Sequence, residues 1–385
     1  MRFSQSSSRP PAAAGDRPRV VTPATTTIVT TYGIISSSDG EILAFSRLNV
    51  VEAEPGAACP HREIGSAELP DTRDSRSPGV LVTVGDLVED VVVWSGGPAR
   101  YATDNPSVIH RARGGSAANV AAFASGLVRA RFVGCVGDDP VADMLTAELA
   151  GRGVDVRVQH RGRTGTIVVL VDEQGERTMY PDRAAAAELT DVPTEWLASA
   201  GFLHVPSYCF AAEPAATAVL RLIRHAAQAG VPVSLDASST GMISEYGLTR
   251  YLDLVGELAP TVFFANAAEA WLLDVTRPQF ANTMTVVKNG AESTTVTPPG
   301  GAVQTVPVPP SPPARDSTGA GDAFAAGFLA ARMRGATPAE AASAGHELAR
   351  SVLFSPGAAT VSPGAAAAAA GTDADDAINE GAVNS

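Results

Sequence analysis

The amino-acid sequence predicts an α/β fold, with a parallel β-sheet covered by helices on both faces and a small second sheet beside it as a lid. Two observations carry this reading. From about residue 79, short apolar runs alternate with helical patterns, the rhythm of repeated strand and helix units. Two other segments alternate polar and apolar residues, as a sheet buried on only one face does. At 385 residues, 45% of them hydrophobic, the chain can bury a core of the required size.

The strands of the main sheet are read at "GVLVTVG" (79–85), "ARFVGCVG" (130–137), "GFLHV" (201–205), "VPVSLDA" (231–237), "TVFFAN" (261–266) and "MTVVKNG" (284–290). Helices are predicted near 116–127, 139–151, 213–229 and 319–334. The lid is read at roughly 87–113 and 164–183: "DLVEDVVVW" pairs with the stretch up to Arg113, and "GTIVVLVDEQGERTMY" turns at "EQG" like a hairpin. Such a lid would close over a ligand at the carboxyl ends of the strands. The folded domain is placed at 79–363. Residues 1–78, rich in Ser, Pro, Thr and Ala, read as a low-complexity extension that is largely disordered; "TTTIVTTYGII" and "EILAFSRLNVVEAE" are its strand-like pieces. Residues 364–385 read as an acidic disordered tail.

Composition narrows the function classes. A net charge of −13 carries no electrostatic footprint for nucleic acid or an anionic membrane. The N-terminus has no continuous apolar segment after its charges and nothing later reaches a membrane span, which predicts a soluble cytoplasmic protein. Cys59, Cys135 and Cys209 are widely separated, which points to ordinary thiols in a reducing compartment and away from structural zinc. One lysine, Lys288, stands against many arginines.

The chemistry concentrates in "DSTGAGDAF", residues 316–324. Residues 323–333 read as a buried helix, so Gly319, Ala320 and Gly321 fall where that helix begins. The first N–H groups of a helix lack internal partners and the helix dipole adds positive charge, which makes this turn an anion site. Competing phosphate signatures are absent: there is no GxxxxGK[ST], no GxGxxG heading a dinucleotide unit, and no HRD or DFG.

What is present is an ordered set: "GGSAAN" before a helix, then "RFVGCVGDDPVADML", "NAAE" at 266–269, "KNG" at 288–290 and "DSTGAGD" opening a late helix. Together these resemble the ribokinase (PfkB) family of carbohydrate and nucleoside kinases over roughly residues 79–363. The resemblance implies a three-layer α/β/α sandwich with a β lid, ATP and Mg²⁺ as cofactors, and phosphorylation of a hydroxymethyl group on a small sugar or sugar acid. A nucleoside kinase of the same fold, or a non-catalytic ligand-binding paralogue, is the alternative.

Roles follow residue by residue. Asp322 matches the family's general base, kept ionised by the helix N-terminus; a capping acid is the plainer reading. Gly319, Ala320 and Gly321 would present N–H groups to the transferring phosphoryl. Asp316 and Thr318 match positions that ligate a monovalent cation, K⁺, in many members. Asn266 and Glu269 match the pair that holds Mg²⁺ through water, against a capping Asn with a first-turn Glu. Lys288 and Gly290 resemble the nucleotide loop, and His346 falls where relatives line the adenine pocket or is a plain helix-surface histidine. Asp90, Gly114, Gly115 and Asn119 match the sugar-contacting positions, the glycines letting the ring approach the backbone. Asp86 and Glu89 are neighbouring acids less well placed than Asp90. Arg177 reads as a solvated strand arginine or one reaching an anionic substrate, while Ser207 and Tyr208 stand where ribose-specific relatives carry a glutamate. The partners are a small-molecule sugar and ATP, with a homodimer through the lid by family analogy.

Overall fold

The computed structural model describes residues 27–36, 42–51, 79–95, 97–172, 177–310 and 318–353. The chain divides into two compact units, Met1–Arg73 and Asp74–Ser385. In the first, β1 (Thr27–Ser36) and β2 (Ile42–Val51) pair antiparallel with Thr27 opposite Val51. These are the two strand-like pieces, joined as a hairpin. The disorder expected for the rest of 1–78 and for the tail concerns residues outside those described.

In the second unit, chain order runs β3 (Val80–Val84), β4 (Val88–Ser95), β5 (Ser107–Gly114), α1 (Ser116–Ala124), β6 (Arg129–Val136), α2 (Pro140–Gly151) and β7 (Asp155–His160). Next come β8 (Thr166–Val171), β9 (Arg177–Asp182), β10 (Ala200–Pro206), α3 (Ala215–Gln228), β11 (Val233–Asp236), α4 (Thr240–Tyr246) and α5 (Leu248–Leu258). The chain continues with β12 (Val262–Asn266), α6 (Ala267–Leu273), β13 (Met284–Asn289), β14 (Glu292–Thr297), β15 (Gln304–Val306), α7 (Ala320–Met333) and α8 (Pro338–Val352).

Nine strands form the main sheet in the order β15-β14-β13-β12-β11-β10-β3-β6-β7. From β13 to β7 every pairing is parallel, and the central strands are apolar on both faces, as helices on both sides require. The parallel sheet is as expected, and it is extended at one edge by β14 and β15, which run antiparallel. Asn289 pairs with Glu292 across the short turn Gly290-Ala291, and a turn that short returns the chain beside itself, whereas a parallel crossover needs a dozen or more residues. Gly290 takes φ 59° there.

Two apolar clusters sandwich the sheet. Phe123, Leu145, Phe324, Phe328, Leu329 and Val352 bring α1, α2, α7 and α8 onto one face. Val219, Ile223, Ile243, Tyr251, Val255 and Leu273 bring α3 to α6 onto the other. The second sheet, β5-β4-β8-β9, is the expected lid. Its pleat puts Asp90, Val169, Val171 and Arg177 on one face and Ile109, Leu170 and Tyr180 on the other. Val169 and Val171 are buried, while Ile109, Leu170 and Tyr180 are exposed.

Candidate active site

Asp322 sits in the first turn of α7 behind Gly319, which takes the left-handed φ of 74° as the N-cap. Ala323 N–H donates to Gly319 C=O at 2.8 Å, so the amides of 320–322 precede the first helical bond and point out of the helix end. Across from them, the start of α1 supplies two donors to the carboxylate. Ser116 Oγ donates to Asp322 Oδ1 at 2.6 Å and Asn119 Nδ2 donates to Oδ2 at 2.9 Å. The amide of Asn119 is itself oriented, because Arg113, a buried guanidinium paired with Glu148 at 2.8 Å, donates to Asn119 Oδ1.

The helix N-terminus is expected to keep Asp322 ionised, and burial adds an effect that the sequence does not show. Burial pushes its pKa up to about 6, with the neighbouring Asp236 adding to the rise and Ser116 and Asn119 opposing it. A carboxylate poised there is ionised at neutral pH yet close enough to it to accept a proton, as a general base needs.

Facing this turn, Asp90 on β4 has its Oδ1 buried with no hydrogen-bond partner among the described residues. Burial raises its pKa to about 6, eased by Arg113 and Arg177 and worsened by Asp322. The neighbouring acids are already satisfied: Asp86 takes both Arg183 nitrogens at 2.7 Å, and Glu89 pairs with Arg111 at 3.1 Å. Asp90 is therefore the acid left to meet a ligand. The glycine pair has a reason within the fold besides the expected ring approach. A Cβ on Gly114 would lie 2.0 Å from Asp90 Oδ1, and one on Gly115, at φ 98°, would lie 2.1 Å from the Asp86 carbonyl. They make room for Asp86 and for Asp90 on the neighbouring strand. Arg177 is not the solvated strand arginine of the plainer reading; it is half-buried on the Asp90 face of the lid, where burial lowers its pKa and Asp90 opposes that fall.

The carboxyl ends of β10 to β13 form the other wall. Asn266 and Glu269 make a reciprocal capping box at α6: Glu269 N–H donates to Asn266 Oδ1 at 2.9 Å and Asn266 N–H donates to Glu269 Oε2 at 2.8 Å. The plainer reading is thus realised, yet it does not use Glu269 Oε1. Burial and Asp236 together raise the pKa of Glu269. A hard, buried carboxylate with a second acid beside it fits a dication, which would relieve that charge. No three His, Cys, Asp or Glu side chains among the described residues could hold a metal ion by themselves, so water and phosphate oxygens would complete its shell.

Lys288 at the end of β13 reaches inward, its Nζ donating to Asp236 Oδ2 at 2.8 Å. Asp236 is held from the other side by Ser238 N–H at 2.9 Å. Gly290, by contrast, sits in the exposed β13–β14 turn with no atom within 4 Å of a built Cβ. His346 is not on a helix surface; it is buried against the Phe324 ring at 5.1 Å, with Nε2 unpartnered and its pKa lowered by burial. Thr318 is half-buried beside the turn, and Asp316 lies outside the described residues. Ser207 is buried, donating to the Asp236 carbonyl at 2.7 Å and sharing a 2.6 Å bond with Tyr251 OH. Tyr208 OH donates to the Ser238 carbonyl at 3.1 Å. Cys135 and Cys209 are buried free thiols whose pKa values burial pushes up to about 11 and about 12.

Three residues escaped the sequence reading: Ser116, Arg113 and Asp236. Two had a signal, since Ser116 follows the glycine pair and Asp236 is an acid at the carboxyl end of an apolar strand, where α/β sheets place ligands. Arg113 had none.

Comparison with known proteins identifies the family. Residues 81–365 match the description "pfkB family carbohydrate kinase". An "ATP-dependent ribose-1-phosphate kinase" of Halopiger xanaduensis is 33% identical over 230 residues, 56% of this chain and 72% of that protein. A "Fructokinase" of Klebsiella pneumoniae is 30% identical over 271 residues, 66% of this chain and 84% of that protein. Among solved structures, adenosine kinase from Sinorhizobium meliloti superposes with a TM-score of 0.66 at 25% identity, covering 76% of this chain and 100% of that one.

Proposed function

Since this chain belongs to the pfkB family of carbohydrate kinases and is an ATP-dependent sugar phosphotransferase, we propose that it moves the γ-phosphoryl of ATP onto a hydroxymethyl group of a small sugar or sugar acid. The observation that carries the reading is Asp322, held by Ser116 and Asn119 at a helix start, with the buried, unpartnered Oδ1 of Asp90 opposite.

Asp90 and Asn119 bind the acceptor, the carboxylate taking hydroxyl protons in charge-assisted bonds; Gly114 and Gly115 keep Asp90 in reach. Asp322 accepts the hydroxyl proton as the sugar oxygen bonds to the γ-phosphorus and the bond to the ADP oxygen breaks. The amides of Gly319, Ala320 and Gly321 face the charge on the transferring phosphoryl. Asn266, Lys288, Gly290 and His346 are assigned to the nucleotide side, though Gly290 acts only through the turn it shapes. Asn266 and Glu269 would hold Mg²⁺ through water; when bound, the ion neutralises charge on the nucleotide phosphates. Thr318 and Asp316 are the positions for K⁺. The apolar outer face of the lid, Ile109, Leu170 and Tyr180, suits a second copy of the chain, giving a homodimer.

A coupled ADP-release assay with Mg·ATP tests the reading against pentoses, hexoses, 2-keto-3-deoxy sugar acids, sugar phosphates and nucleosides, with and without K⁺. Turnover on a sugar class is the expected result, and turnover confined to nucleosides would overturn the acceptor assignment.

A further inference from the structure

Lys288 is the only lysine in a chain that has 27 arginines. Everywhere else that a cation is used, it is a guanidinium. The exception lies at the end of β13, on the face that carries α7, with its side chain only 17% exposed. The two cations differ physically: an ammonium is a compact point charge with rotatable donors, whereas a guanidinium is a planar fork needing a matching pair of acceptors.

Among the described residues the surroundings give the ammonium a single acceptor partner, one carboxylate oxygen. Lys288 Nζ lies 2.8 Å from Asp236 Oδ2 and 5.7 Å from the Phe264 ring centre. A Cβ built on Gly321 would stand 3.5 Å from the same Nζ, so the ammonium lies beside the last residue of the Gly319–Gly321 turn, on the side where a side chain there would project. The pair is buried on the side away from this turn, where His204 stacks edge-on against Phe264 with its own Nε2 unpartnered. Asp236 thus parks the charge beside the anion site, where it is within reach of a phosphate oxygen without a rearrangement of the backbone.

We propose that Lys288 is a catalytic residue whose ammonium turns from Asp236 to an oxygen of the transferring γ-phosphoryl and neutralises the charge there as the group passes to the sugar oxygen. This rests on the kinase reading above. No bond to Lys288 forms or breaks: the sugar oxygen bonds to phosphorus, the ADP oxygen leaves, the hydroxyl proton goes to Asp322, and the ammonium keeps its protons throughout. Its contribution is electrostatic and preorganised, the kind of charge placement that dominates loose phosphoryl transfer.

Two measurements test it. Lys288→Met alone would strand Asp236 as a buried charge, so it is made together with Asp236→Asn, a neutral pair that keeps its volume. The double variant is compared with Asp236→Asn alone, which lacks the same carboxylate; it is expected to fold, to hold the acceptor KM within about threefold of that single variant, and to lose a further factor of about 10² to 10³ in kcat, the loss typical of removing one donor to a developing anion. Lys288→Arg is expected not to restore the rate. The second measurement needs no variant: lysine labelled with ¹⁵N at Nζ gives a single side-chain resonance in this protein, and a non-hydrolysable ATP analogue with Mg²⁺ should shift it. A kcat of the double variant within threefold of that of Asp236→Asn, or a resonance unmoved at saturating analogue, overturns the proposal and leaves the kinase reading standing. Silence of the unmodified protein on every acceptor would sink the kinase reading instead, and the resonance would then decide alone whether Lys288 meets the phosphates.

Discussion

Replacing Asp322 by Asn tests the base assignment with little disturbance of its surroundings. The carboxylate accepts from Ser116 Oγ at 2.6 Å and from Asn119 Nδ2 at 2.9 Å. Arg113 donates to Asn119 Oδ1, so the Asn119 amide cannot turn over and must keep donating. An asparagine at 322 can still accept from Asn119 through its carbonyl, while its own amide donates to the Ser116 hydroxyl, which rotates to receive it. Both contacts survive, and the variant should fold and bind ATP normally. What is lost is the proton acceptor, worth about 10²- to 10⁴-fold in rate, or about 2.7 to 5.4 kcal/mol of barrier. Coupled ADP release at saturating acceptor measures this. The pH profile adds a second reading. With the Asp322 pKa at about 6, kcat of the unmodified protein should rise as pH climbs through about 6 and level off above it, because only the ionised form accepts a proton. Asp90, also at about 6, titrates in the same range, so that limb belongs to the pair. In Asp322→Asn the kcat limb should vanish while an acceptor-KM limb remains. A kcat within fivefold of the unmodified protein, or an unchanged kcat limb, would refute the assignment.

The stability consequence of Asp90 runs the other way. Its folded pKa of about 6 lies above the ordinary 3.8, so folding takes up a proton between them; stability present below 3.8 is lost as pH rises through about 6. Asp90→Asn should therefore raise Tm at pH 8 and lose that advantage at pH 4 by calorimetry, and a pH-independent difference would contradict the cause. Gly114→Ala places a methyl 2.0 Å from Asp90 Oδ1 and should raise the acceptor KM more than about tenfold by displacing the carboxylate, whereas an unchanged KM would separate Asp90 from the acceptor. Ile109→Asp with Leu170→Asp should convert a dimer to a monomer in sedimentation, and an unmodified protein already monomeric would exclude the lid interface. A chain starting at residue 76 should keep kcat and Tm, since the matched family region begins at residue 81, and loss of either would show that the first unit supports the second.

Much of this architecture is legible before any coordinates. The six apolar runs of the main sheet are strands because each is a short β-branched or aromatic stretch, most of them bounded by Gly or Pro, and α7 declares itself by a glycine turn opening into "AFAAGFLAARM". The helices α4 and α6, seven residues each, are too short to show a period. The edge strands β14 and β15 are largely polar and take their place from the hairpin turn that precedes them.

The sequence by itself determined the class of fold and the contiguous chemistry, since a nine-residue stretch carries both the anion turn and the base, and local backbone geometry is a property of neighbours in the chain. Tertiary structure alone decided how that chemistry is set. Ser116 meets Asp322 across 206 residues, Lys288 meets Asp236 across 52, and Arg113 orients Asn119 only because Glu148 closes over it from α2. The protonation of Asp322 and Asp90 belongs to that level too. A carboxyl titrates according to the water it has lost and the charges that face it, and neither quantity exists until distant segments pack together.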